Sequence, residues 1–97
     1  MMLDEYRVKV IERLKGCRDS VVARNILAEA DIVLMNGQLT RLTQDKFWET
    51  LYEDLEALGE EAKFMTDRAG AVTLSTVIVA AQSRIARYRE KIAADEE

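Results

Sequence analysis

Two apolar runs of matching phase occupy the second half of this chain and restrict its fold more than any other feature. Trp48, Leu51, Leu55, Leu58, Ala62 and Met65 step by three and four residues, as do Leu74, Ile78, Ala81, Ile85, Tyr88 and Ile92. Such spacing places apolar side chains on one stripe of an α-helix. Folded back on each other, the runs pair in a single antiparallel register, from Trp48 opposite Ile92 to Met65 opposite Leu74, with Asp54 near Arg84 beside the seam. Stripes with this alternation pack as a left-handed coiled coil. A strand over residues 72–80, rich in Val, Ile and Thr, is the competing reading, but the helical stripe continues in phase to Ile92. Gly59 stands inside the first run without shifting its phase. Thr43 is expected to cap the first of these helices, with Leu42 packing on Phe47 as a hydrophobic staple, and Thr73 to cap the second.

The first half carries two shorter patterns. Leu3, Val10, Ile11, Leu14 and Cys17 share a face, with Asp4 and Glu5 at the positive end of the helix they imply. Gly16 and the group Arg18-Asp19-Ser20 interrupt it, and Asp19 or Ser20 caps a second helix. Val22, Ala23, Ile26, Leu27, Ala30, Val33 and Leu34 form the stripe of that helix. Asn36-Gly37 ends it, because both residues tolerate the left-handed conformation of a helix C-cap. The chain has no proline, the main helix breaker. The expected fold is therefore all-α: helices over residues 4–18, 20–36, 43–68 and 73–94, forming one domain over residues 1–97. It is a small helical bundle built on a long antiparallel αα-hairpin with two shorter N-terminal helices. A chain of 97 residues is the right size for one such domain.

Catalytic vocabulary is sparse. Histidine is absent and Cys17 is the single cysteine, which removes the usual general base, the commonest metal ligand and any paired-cysteine zinc site. No nucleophile elbow, phosphate-binding glycine loop or dinucleotide fingerprint occurs. Lys15 and Arg18 flank Cys17 and would lower its pKa, but that context is common. Glu49, Glu53, Glu56 and Glu60 line one side of the third helix and read as a solvated face or an acidic docking surface. Helical di-metal sites add histidine to their carboxylates, and this chain has none. No catalytic residue, cofactor or metal is expected, and the chain is read as a non-enzyme.

Net charge is −4, so general attraction to polyphosphate is weak. The start Met1-Met2-Leu3-Asp4-Glu5 has no secretory pattern, which points to the cytoplasm. The most apolar stretch, from Ala69 to Ala81, is shorter than the roughly 18 residues needed to span a bilayer, so no membrane is expected. The surplus is apolar and basic. Val21, Ile32 and Met35 widen the face of the second helix; on the last, Val77 and Val79 lie outside the stripe and Val72 precedes it. Arg84, Arg87, Arg89 and Lys91 make a basic cluster near its C-terminal end, followed by the acidic tail Asp95-Glu96-Glu97. Two short helices leave part of two long ones uncovered. The expectation is a non-catalytic protein-interaction module (an adaptor, stoichiometric inhibitor or assembly subunit), self-associating as a homodimer. Val21, Ile32, Met35, Val72, Val77, Val79, Arg84, Arg87 and Lys91 are the candidate contact residues. The alternative is a nucleic-acid-associated regulator that uses the basic cluster.

Overall fold

Helix forms along the apolar stripes except at Cys17 and Met65, which fall between helices, and no strand forms among the described residues, which are 2–95 of a computed structural model. The elements are α1 (Leu3–Lys15), α2 (Ser20–Asn36), α3 (Arg41–Ala62) and α4 (Arg68–Asp95). The 28 residues of α4 span about 42 Å at 1.5 Å per residue, nearly the whole 45 Å long axis of the molecule.

The ends are set by local polar groups. Gly16 follows α1, its N–H bonded to the carbonyls of Glu12 and Arg13, so this helix stops short of residue 18. Asp19 caps α2 by accepting from the Val21 N–H at 2.6 Å. After Gly37, whose φ is −78°, the left-handed conformation falls on Gln38, at φ 56°, and not on the Asn36-Gly37 pair. Thr40, rather than Thr43, caps α3: its Oγ1 accepts from the Thr43 N–H at 3.1 Å. Leu42 thereby sits in the first turn of α3, 78% exposed, and makes no staple. The Gln44 side chain instead donates to the Leu39 carbonyl at 3.1 Å. α3 ends at Ala62, leaving Met65 in the turn. Asp67 then accepts from the Gly70 N–H at 3.1 Å and starts α4 five residues before Thr73. The Thr73 hydroxyl lies inside the helix and donates to the Ala69 carbonyl at 3.0 Å.

Burial follows the stripes. Val10 and Leu14 of α1, Ala23, Leu27 and Leu34 of α2, Trp48, Leu51 and Leu55 of α3, and Val77, Ala81 and Ile85 of α4 belong to one buried cluster. Full burial of each large aliphatic side chain contributes roughly 1.5–3 kcal/mol. The aromatic end of this core is a chain of rings: Tyr6 stacks on Phe47 at 6.1 Å, Phe47 meets Trp48 edge-on at 5.2 Å, and Trp48 packs on Tyr88 at 4.8 Å. Trp48 therefore meets the α4 residue one turn before the expected Ile92. Further along, Gln82 Nε2 reaches the Tyr52 carbonyl at 3.4 Å and Gly59 lies beside Ile78, so residue numbers rise on α3 as they fall on α4. α4 also packs on α2 and on α1. That third neighbour explains a correction: Val77, expected on the outside, is 1% exposed. A helix with three neighbours buries a face wider than one coiled-coil stripe.

Polar ties fix α1 and α4 to α3. Arg7 donates to Asp54 at 2.8 Å and to Asp4 at 2.7 Å. Burial opposes the Arg7 charge, but these two carboxylates outweigh it and hold the guanidinium above its ordinary value. Asp54 thus engages Arg7 and not the expected Arg84.

Candidate interaction surface

The basic cluster of α4 divides into two. Arg89 makes two hydrogen bonds to Asp45, at 2.9 and 3.3 Å, and lies 3.9 Å from Glu49. The hydrogen bond to Asp45 raises its pKa against the opposing effect of burial, so Arg89 is a strut between α3 and α4. Arg84 and Arg87 turn the other way. With Ser20 and Arg24 of α2 they line a groove beside Thr76, Val79 and Ser83. Among the described residues, Arg24, Arg84 and Arg87 have no carboxylate within ion-pair distance. Lys91 is exposed further along. Glu96 and Glu97 of the acidic tail lie outside the described residues.

A second groove runs along the opposite flank of α4, between it and α3. Glu53, Glu56 and Glu60 line it together with Ser75, Ile78, Val79 and Gln82. Lys63 neutralises Glu60 at 3.0 Å. No three potential metal-ligating side chains converge among the described residues.

Val79 lines both grooves and so marks the ridge between them. The ridge continues to Val72; the two valines are 65% and 67% exposed. From Ala69 through Ser83 the sequence carries no charge, and on the ridge Thr76 spends its hydroxyl on the Val72 carbonyl at 3.0 Å. By length and composition, α4 is long and apolar enough to cross a membrane, which the shorter stretch Ala69 to Ala81 did not indicate. Its Val77, Ile78, Ala81 and Ile85 are buried against the other helices.

The structure thus brings Val72, Val79, Arg84 and Arg87 onto one surface. It removes Val77 to the core, and leaves Val21, Ile32 and Met35 exposed along α2. Arg24 was missed in the sequence because nothing in its local pattern shows that α2 carries it to the α4 groove. Cys17 is buried, and burial pushes its thiol up, with Asp19 adding and Arg13 opposing. The lowering expected from Lys15 and Arg18 does not occur. Two buried polar atoms, Trp48 Nε1 and Tyr6 Oη, have no hydrogen-bond partner among the described residues. Neither a protein-family model, nor a curated protein, nor a solved structure matches the chain.

Proposed function

We propose that this chain is a non-catalytic protein-interaction module of the cytoplasm, an adaptor, stoichiometric inhibitor or assembly subunit, that docks through the outer face of α4. In this reading α3 and α4 form a long antiparallel αα-hairpin, and the shorter α1 and α2 pack across it to fix the face in place. The observation that carries the reading is the ridge around Val72 and Val79, an uncharged helix face bordered by arginines on one flank and glutamates on the other. Apolar centres with charged rims suit protein contact: burial supplies affinity, and the rims select orientation and partner.

The test compares two neighbouring substitutions. Val79→Asp places its charge in solvent and should leave helicity and melting temperature unchanged while abolishing capture of protein partners from the native host. Val77→Asp places the same charge in the core and should unfold the protein, since an unpaired buried carboxylate costs several kcal/mol. Capture that survives Val79→Asp unchanged contradicts the reading.

A second reading is favoured by the convergence of Arg24, Arg84 and Arg87 without carboxylate partners: a nucleic-acid-associated regulator. It requires retention on DNA or RNA that weakens steeply with salt. No retention at low salt removes it.

A further inference from the structure

We infer that the occupant of the α4 face is a second copy of this chain, related by a two-fold axis running alongside α4, so that the two α4 helices pack in parallel. This rests on the reading of that face as a docking surface and adds its partner and symmetry. The inference comes from the placement of charge. On the α2 flank of the ridge, Arg24 and Arg84 line a groove together with Thr76, Val79 and Ser83. On the α3 flank, Glu53 and Glu56 line a groove together with Ser75, Val79 and Gln82. Opposite charges therefore border the same uncharged stretch of α4, around Val79, from its two sides.

Two kinds of two-fold axis can bring this face against its own copy. Rotation about an axis parallel to the ridge preserves height and exchanges the flanks, so the glutamates of each copy meet the arginines of the other. Rotation about an axis across the ridge preserves the flanks and makes the helices antiparallel. That sets glutamate against glutamate and arginine against arginine, and like charges facing each other across an interface are repulsive. The parallel arrangement is the one that satisfies both rims. Size allows a modest interface: the uncharged stretch from Ala69 through Ser83 is about 22 Å long on a molecule 26 Å wide, which offers roughly 570 Å² per copy, near the lower bound of about 600 Å² per copy for stable interfaces. A lipid surface fits less well, because anionic headgroups drawn to Arg24 and Arg84 would also meet Glu53 and Glu56.

The experiment uses the full chain. Sedimentation equilibrium over a rising concentration series should show a dimer that salt weakens and that Val79→Asp abolishes with helicity intact. Glu56→Arg and Arg84→Glu should each weaken it, and the two together should restore it, because the pairing is then reversed in both directions. Val72→Cys and Val79→Cys, made separately, should each oxidise to a disulfide-linked dimer, since a parallel axis places every ridge residue against its own counterpart. A chain that stays monomeric at every concentration overturns the inference, as does linkage through only one of the two cysteines. Flotation of a monomer with phosphatidylcholine–phosphatidylglycerol vesicles also overturns it. If the wild type stays monomeric yet captures a foreign protein that Val79→Asp releases, the docking role stands and the dimer alone falls.

Discussion

Gln38 holds a left-handed backbone, φ 56°, in the turn between α2 and α3, where a side chain costs about 1 kcal/mol of steric strain that glycine avoids. Gln38→Gly should therefore raise stability by about 0.5 kcal/mol or more in urea titration. Three other residues set the response to alkali. Burial raises the pKa of Cys17 from its ordinary 9.0, and those of Tyr6 and Tyr88 from 10.0. Neighbouring carboxylates, Glu29 at Tyr6 and Asp31 at Tyr88, add to the effect. The folded state keeps protons that the unfolded chain releases, so stability is whole below about pH 9 and declines as pH rises through the raised values. Melting temperature across a pH series should be level near neutrality and fall above about pH 9, and Cys17→Ala should make the first part of that fall shallower.

At the scale of the element, Gly59 gives the plainest expectation. It lies within α3, and an added Cβ would meet only the Ile78 Cδ1 at an ordinary 3.9 Å. Gly59→Ala should stabilise the protein by about 0.5–1 kcal/mol through helix propensity alone, read as a shift in urea midpoint at constant slope. The stripes that define each helix were legible because every inward residue of the runs from Trp48 to Ala62 and from Ile78 to Ile85 obeys one period. Helix ends were harder. Thr40 and Thr43, like Asp67 and Thr73, are equally good caps in isolation, and the choice between them depends on where the turn before each helix points. Val77 was misplaced for a different reason: a stripe records one neighbour, and α4 has three. The arginines of α4 could be counted in the sequence, but their division could not. Arg89 becomes a strut only because α3 places Asp45 within 2.9 Å, and Arg24 joins the groove through contacts more than 50 residues distant in the chain.

The molecule as a whole has one buried cluster to which all four helices contribute, so no helix keeps its inward face covered if another leaves. Unfolding should be a single transition: the fluorescence of Trp48, fully buried in that cluster, and far-ultraviolet circular dichroism should give coincident urea curves. Separated curves would show α1 and α2 detaching ahead of α3 and α4. One detail of the outer surface has a thermodynamic consequence. Because Thr76 already satisfies its hydroxyl within its own helix, the groups beside it can shed water without stranding that donor. Association there should release solvent from hydrocarbon more than it trades polar bonds, and titration calorimetry should find a negative heat-capacity change as the ridge goes dry.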